Sequence, residues 1–307
     1  MDLSAKYKQC HEKQKLQLMN KGKMERKDHG IGGKLKASMW GSEGFESVEC
    51  YAKANSNTRK DAESCLQEYS PKFKWNKKSR VLDIGCGDGS VTQIITKHIP
   101  DDVELVASDV HEKALKFANH KYGDGRIQFM RFDVIGHLPQ DMIGKFDHVF
   151  AMYVFHWIRD HETAFTNIYN ILPKNGEFFA IFVGRCDIYS IFQILAKKKK
   201  WSEYMKNIDQ FVSLYHDYED PDTTIEKMLK KIGFGSVDVK CKQRYCTHES
   251  IAAYKDLLTG INCFDIPKES WPEFIDEYVE TQRFLNLIDA KGLIKTNYNL
   301  LVIHCIK

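Results

Sequence analysis

The segment of this chain whose residue types most suit a ligand is Asp83-Ile84-Gly85-Cys86-Gly87-Asp88-Gly89. Glycines at alternate positions let a backbone turn tightly and approach a bound group without Cβ clashes. Asp109 follows 20 residues after Gly89. A carboxylate there can accept hydrogen bonds from both hydroxyls of a ribose. The spacing is not that of a dinucleotide loop, because G-x-G-x-G lacks the third glycine of G-x-G-x-x-G. Asp83 and Asp88 would repel a pyrophosphate but suit a ligand carrying positive charge, such as a sulfonium amino acid. The loop therefore points to S-adenosylmethionine rather than NAD. In that reading Asp83, Gly85, Cys86, Gly87 and Gly89 form the cradle, with Val110 beside Asp109. Asp133, next to Val134, is placed to accept from an adenine amino group, and Met152 and Tyr153 flank the methyl-donor end.

A second cluster follows at Tyr153, Phe155, His156 and Trp157, with Tyr51 and Thr58 upstream and Phe192 downstream. Histidine titrates near 6.5 and a phenol near 10, so His156 facing an acceptor can take a phenolic proton. A carboxylate acceptor is already ionised at neutral pH and needs no base. Trp157 and neighbouring aromatics can sandwich a ring.

These residues need elements to hold them. Short apolar runs at 79–84, 103–107, 127–132, 146–152 and 177–183 read as strands. Amphipathic stretches at 90–98, 111–120 and 161–171 read as the helices between them. This alternation predicts a parallel sheet covered on both faces, and right-handed crossovers make it doubly wound. A helical pattern spans 51–69. Residues 184–234 are helical and aromatic. A strand at 236–246, helices at 249–260 and 269–290, and a strand at 298–306 complete the pattern. The expected fold is α/β, a seven-stranded, mostly parallel sheet ending in an antiparallel pair. The expected cap insertions lie at about 184–235 and 248–295.

The 307 residues are 43% hydrophobic and 28% charged, an ordinary globular balance that excludes fibrous or wholly disordered classes. The net charge of +3 is unevenly placed. Residues 1–44 hold 10 Lys+Arg against 5 Asp+Glu, and the remainder holds 35 against 37. The basic character thus belongs to an N-terminal extension, read as a tail or a helix at 5–20 and a link, ahead of one domain at 45–307. The body is near neutral and offers no nucleic-acid surface; the Lys197–Lys200 run reads as a solvated helix end. No apolar run spans a membrane, and the N-terminus has no apolar secretory core, so a cytoplasmic protein is expected, as monomer or homodimer. Nine scattered cysteines fit a reducing compartment. Cys241 and Cys246 lack a partner pair with zinc spacing, and no metal is expected.

The glycine loop, Asp109, Asp133 and the strand pattern over 79–183 resemble a class I S-adenosylmethionine-dependent methyltransferase. Phe146-Asp147-His148-Val149-Phe150-Ala151-Met152-Tyr153-Val154-Phe155-His156-Trp157 sharpens this. So do Asn167-Ile168-Tyr169-Asn170-Ile171-Leu172-Pro173, Lys200-Trp201-Ser202 and Tyr51-Ala52-Lys53-Ala54-Asn55. Together they are similar to the insect juvenile hormone acid methyltransferase family from about Tyr51 to Lys307. The resemblance implies O-methylation of a small hydrophobic acceptor under a helical cap, without metal. It also implies that a Gln on the first helix and a His-Trp pair hold the acceptor's carboxylate. His156 and Trp157 match the pair. The family's Asn, Gln and Asp at three-residue spacing fall on Asn55, Thr58 and Asp61, so Thr58 stands where Gln is expected. Thr offers one donor where Gln offers two, and a lost bond to a charged group is worth roughly 1.5–3 kcal/mol. Thr58 with His156 therefore tilts the expected acceptor toward a phenolic hydroxyl. Carboxyl methylation of juvenile hormone acid, farnesoic acid or a similar acid is the alternative, and a non-catalytic cofactor-binding protein is the third reading.

Overall fold

The structure, a computed structural model, describes residues 45–307 except Asp124, Glu249 and Cys263. The expected tail, with its helix at 5–20, lies outside the described residues. Seven strands form one sheet in the order β3-β2-β1-β4-β5-β7-β6. They are β1 (Arg80–Ile84), β2 (Glu104–Asp109), β3 (Ile127–Arg131), β4 (His148–Met152), β5 (Glu177–Cys186), β6 (Ser236–His248) and β7 (Ile294–Ile306). The first five are parallel, and β7 runs antiparallel to both β5 and β6. The doubly wound, mostly parallel sheet expected from the sequence is thus the observed one. The late antiparallel pair is also present. β7, the last strand in sequence, is wedged between β5 and β6.

The helices are α1 (Phe45–Ala54), α2 (Ser56–Tyr69), α3 (Ser90–Ile95), α4 (Glu112–Tyr122) and α5 (His161–Ile171). Next come α6 (Asp187–Ala196), α7 (Pro221–Ile232), α8 (Ile251–Gly260) and α9 (Trp271–Phe284). The single helix expected over 51–69 is two helices that meet at Asn55, whose side-chain amide donates to Asp88 and Ser90.

Strand residues alternate between faces, and both faces are buried. Val81, Leu105, Phe150 and Phe179 pack with Leu66 of α2 and Ile95 of α3. Leu82, Val106, Val149 and Phe178 pack on the other face with Phe165 of α5 and Leu229 of α7. A third cluster joins Phe192 of α6, Tyr254 of α8 and Phe274 of α9. The helical stretch from 184 to 234 therefore divides: α6 joins α8 and α9, whereas α7 covers the opposite face of the sheet. The lysines after α6 do not all stand free in solvent. Lys198 pairs with Glu277 at 2.5 Å and Lys200 with Glu273, tying the end of α6 to α9.

Candidate active site

Strand order reverses direction between β1 and β4, so the loops leaving these two strands diverge and open a crevice at their carboxyl ends. The glycine loop leaves β1 there. Gly85, Gly87 and Gly89 all have positive φ. At Gly85 (φ +72°) a Cβ would sit 2.4 Å from Val154 Cγ2, so only glycine fits. The loop is pinned from below: the Gly85 and Cys86 amides donate to the Ser108 carbonyl at 2.7 and 2.9 Å.

Acidic groups surround the loop. Asp109 accepts from the Gly87 amide through Oδ2 and from the His111 amide through Oδ1, both at 2.9 Å. Asp83 accepts from the Thr92 hydroxyl at 2.6 Å. Burial pushes its pKa up to about 7, with Thr92 opposing and Asp109 adding to the rise. Asp88 accepts from the Ser90 hydroxyl at 2.8 Å and from the Asn55 amide at 3.3 Å, and burial raises its pKa too. Burial likewise raises Asp109. Three partly desolvated carboxyls around one loop are unfavourable without a cation. A sulfonium amino acid supplies positive charge, and Asp109 ends β2, where a carboxylate can accept from ribose hydroxyls, so the donor set fits S-adenosylmethionine.

The other residues expected at the cofactor are distributed less uniformly. Asp133 is an exposed carboxylate beyond β3, accepting from the Ile135 amide at 3.1 Å. Val110 is 40% exposed beside Asp109. Val134 instead turns into the apolar core with Phe132 and Met142. Met152 and Cys86 are buried in the core on the glycine-loop side.

A cavity of about 920 Å³, counting open solvent at its mouth, lies beyond β4 under α6 and α8. Tyr51, Thr58, Tyr153, His156, Trp157 and Phe192, the residues expected from the sequence to contact an acceptor, all line it. Phe155 does not line it. In the short turn Phe155–Trp157 its ring points the opposite way, fully buried and stacked on Phe165 at 4.7 Å. Three residues of a tight turn cannot share one face, so His156 and Trp157 face the cavity and Phe155 anchors the turn.

The anchor is reinforced by His161. One of its ring nitrogens lies 2.9 Å from the Phe155 carbonyl and the other 3.0 Å from the Tyr215 hydroxyl. His156 is 6% exposed, and its Nδ1 has no hydrogen-bond partner. Burial, helped by nearby His161, drops its pKa to about 3. The imidazole is therefore neutral at pH 7 and a poor acceptor of a phenolic proton. A base of ordinary pKa was the sequence expectation; enclosure removes it.

Asp61 organises the cavity wall. Its Oδ2 accepts from the Tyr153 hydroxyl at 2.5 Å and from the Tyr298 hydroxyl at 2.6 Å, and the Asn57 amide donates to Tyr298 at 3.0 Å. Burial first, then Asp61, raises the pKa of Tyr153, so both phenols stay protonated. Tyr153 has φ +63° directly after β4, an uncommon backbone for a non-glycine residue. The Asp61 bond helps to hold it there. Asp61 entered the sequence reading only as a spacing match. Asn57, Tyr298, Thr296 and His248 also line or brace the cavity, and no local signal marks them. They come together only because β7 lies next to β5. Cys246 lines the cavity, whereas Cys241 packs on the other face. Among the described residues no three His, Cys, Asp or Glu side chains could hold a metal ion.

Comparison with known proteins agrees with this geometry. A family model described as a methyltransferase domain matches residues 82–180. The chain is 36% identical over 272 residues to juvenile hormone acid O-methyltransferase of Bombyx mori, covering 86% of this chain and 98% of the relative. It is 28% identical over 245 residues to the Drosophila melanogaster protein of the same name, covering 77% and 82%. Among solved structures, Haemonchus contortus phosphoethanolamine N-methyltransferase 2 with S-adenosyl-L-methionine superposes with a TM-score of 0.53 at 16% identity. That match covers 85% of this chain and 56% of that one. YcgJ from Bacillus subtilis gives 0.53 at 14% identity, covering 80% and 98%. The two structural matches speak to the fold. The glycine loop, the sheet order and the Bombyx match over nearly its whole length place this chain in the juvenile hormone acid O-methyltransferase family of class I S-adenosylmethionine-dependent enzymes.

Proposed function

We propose that the enzyme methylates a carboxylate oxygen of a small hydrophobic acid, of the kind represented by juvenile hormone acid or farnesoic acid. The observation that carries this reading is the enclosed, neutral His156. A carboxylate arrives ionised and needs hydrogen-bond donors rather than a base. Neutral imidazole carries one N–H, and Thr58 adds a hydroxyl. A phenol needs its proton removed, and a histidine with a pKa near 3 does this poorly. The names of the Bombyx and Drosophila relatives favour the same acceptor class, ahead of the phenol that Thr58 first suggested.

S-adenosylmethionine supplies the methyl group on a sulfonium sulfur. The chain's residues do the rest. Asp83, Gly85, Gly87, Gly89 and Asp109 hold the donor, with Asp133 at the adenine. Tyr153 stands between donor and acceptor, fixed by Asp61. His156 and Thr58 orient the carboxylate, Tyr51 closes the wall beside them, and Trp157 and Phe192 exclude water from the acceptor's chain. Positioning of this kind supplies most of the acceleration in an in-line displacement. Free Cys50, Cys65, Cys86, Cys186, Cys241, Cys246 and Cys305 support a reducing, cytoplasmic setting. The test is a parallel assay of S-adenosylhomocysteine release with hydrophobic acids and matched phenols. Turnover of acids is expected, and turnover of phenols alone would overturn the proposal.

A further inference from the structure

The turn Phe155–Trp157 presents His156 and Trp157 to the acceptor cavity, but its backbone is held from the other side. The Phe155 carbonyl belongs to the peptide plane that joins Phe155 to His156, and that plane is rigid. Whatever fixes this carbonyl therefore fixes where the His156 side chain starts. Two groups reach it: the Ile158 amide at 3.1 Å and His161 Nε2 at 2.9 Å. The Ile158 bond only closes the turn on itself. The His161 bond ties the turn to α5, whose Phe165 and Ile168 are fully buried against the sheet.

The chemistry of the groups sets the direction of each bond. A carbonyl only accepts, so Nε2 carries a hydrogen. Burial lowers the His161 pKa to about 4, so the ring is neutral at pH 7 and has one N–H. Nδ1 is then a bare acceptor, and the Tyr215 hydroxyl 3.0 Å away donates to it. Burial raises the Tyr215 pKa, which keeps that proton in place. The tautomer of a neutral histidine is set by the bond that its other nitrogen makes. With both nitrogens bonded, the ring cannot turn or change tautomer without losing both bonds. Tyr215 is itself pinned. Its ring packs against Phe182 of β5 at 5.9 Å between centroids. Arg159 Nη1 donates to the Val212 carbonyl at 2.8 Å, fastening the segment that carries Tyr215 to a residue two places past Trp157.

We infer that His161 and Tyr215 are positioning residues for methyl transfer. Their chain of hydrogen bonds, from the Tyr215 hydroxyl through the imidazole to the Phe155 carbonyl, sets the orientation of His156 and Trp157 toward the acceptor. Neither side chain lines the acceptor cavity, so both act through the turn. This assignment rests on the reading above, in which His156 and Trp157 face the acceptor.

Two substitutions remove the bonds with little change of shape. Tyr215→Phe deletes only the hydroxyl. His161→Phe places a ring among Phe155, Phe165 and Phe182, whose centroids lie 5.1, 5.4 and 5.9 Å from the imidazole. The Phe155 carbonyl keeps its Ile158 bond in both. Each variant is expected to lower kcat/KM for the acceptor by about 3- to 10-fold, the worth of one neutral hydrogen bond. Affinity for S-adenosylhomocysteine, read by calorimetry, is expected to stay within about twofold of wild type, because the glycine loop leaves a different strand. His161→Gln, whose amide N–H reaches the place of Nε2, is expected to recover part of the loss. The double variant is expected to lose no more than His161→Phe alone, because the hydroxyl then has nothing to act through. Losses under twofold in both single variants, or losses that multiply in the double variant, would overturn the inference. Nitrogen-15 NMR of the wild-type protein, with the His161 signal assigned from its absence in His161→Gln, needs no acceptor. A hydrogen on Nε2 is expected, and one on Nδ1 would overturn the inference. If phenols are methylated and no acid is, the carboxylate reading fails separately, and the same variants are compared on the phenol.

Discussion

Replacing His156 with Phe tests the proposed chemistry most directly. The ring packs against Tyr153 at 5.9 Å and Trp157 at 5.0 Å between centroids, so Phe fills the space without opening a cavity. What Phe removes is the N–H. Nδ1 has no hydrogen-bond partner within the protein, and the proposed role gives the ring's one N–H to the acceptor. A hydrogen bond to a charged group is worth about 1.5–3 kcal/mol, which converts to a loss of about 10- to 150-fold in kcat/KM. His156→Gln, which keeps an N–H, is expected to recover part of that loss. His156 is expected to add no limb to the profile of kcat/KM against pH between pH 6 and 8, where Asp83, with a pKa of about 7, is the site group that titrates. The free-enzyme imidazole protonates only near pH 3, well below that window. The assay is S-adenosylhomocysteine release with a hydrophobic acid at saturating methyl donor. A loss under threefold for His156→Phe would refute the role as donor. An activity limb near pH 6.5 that is present in the wild type and absent from His156→Gln would refute the argument from burial.

Thr58→Gln restores a two-donor amide at the cavity wall and is expected to raise kcat/KM for acids up to about tenfold, one hydrogen bond's worth; no gain in steady-state kinetics would show that position 58 does not face the carboxylate. Gly85→Ala forces a Cβ to 2.4 Å from Val154 in a left-handed backbone, costing about 1–2 kcal/mol for the backbone plus 1–3 for overpacking. Binding of S-adenosylhomocysteine is expected to weaken at least tenfold by calorimetry, and Val154→Ala in the same chain is expected to restore part of it; wild-type affinity in Gly85→Ala would refute the fit of the loop. At the opposite end of the sheet, buried Glu177 accepts from the Lys74 amide at 2.7 Å and lies 2.8 Å from His304 Nε2. Burial raises the Glu177 pKa, but the His304 and Lys74 bonds and the nearby histidines outweigh it, holding the carboxyl below its usual value. A depressed carboxylate stabilises the fold above the unfolded-state pKa and loses that contribution as pH falls through the folded one. Glu177→Gln is therefore expected to lower the melting temperature at pH 7, by about 1–3 kcal/mol of lost bonding, and to lose that difference in acid; an equal deficit at pH 7 and in acid would contradict the ionised role.

The first five strands were legible because each is an apolar run between polar segments, and right-handed crossovers lay them into one parallel sheet in the order β3-β2-β1-β4-β5. The glycine loop was legible because positive φ demands glycine at Gly85, Gly87 and Gly89. The acceptor site was legible only in part. Periodicity identifies 298–306 as a strand, short of the observed start at Ile294, and carries no information on its neighbours. Tyr298 and Thr296 therefore could not be assigned to a wall shared with Asp61. Nor does spacing tell which side chains of Phe155–Trp157 face inward; packing against Phe165 decides that. His156 reads in isolation as a titrating base. Its neutrality is a property of the enclosure around it, which exists only in the assembled fold.

The position of β7 has a consequence during synthesis. β6 finds its antiparallel partner only in residues 294–306, and Asp61 meets Tyr298 across 237 positions of sequence. A nascent chain can pair β1, β2 and β3 as they emerge, but β6 is left with an open edge until the last strand leaves the ribosome. Loop closure over such separations is slow, and unpaired edges invite misassociation. The Lys240, Lys242 and Arg244 side chains on β6 provide charge that keeps that waiting edge from pairing with strands of other chains. The same late closure means that a chain cut short before residue 294 holds its cofactor loop but has no finished place for a substrate.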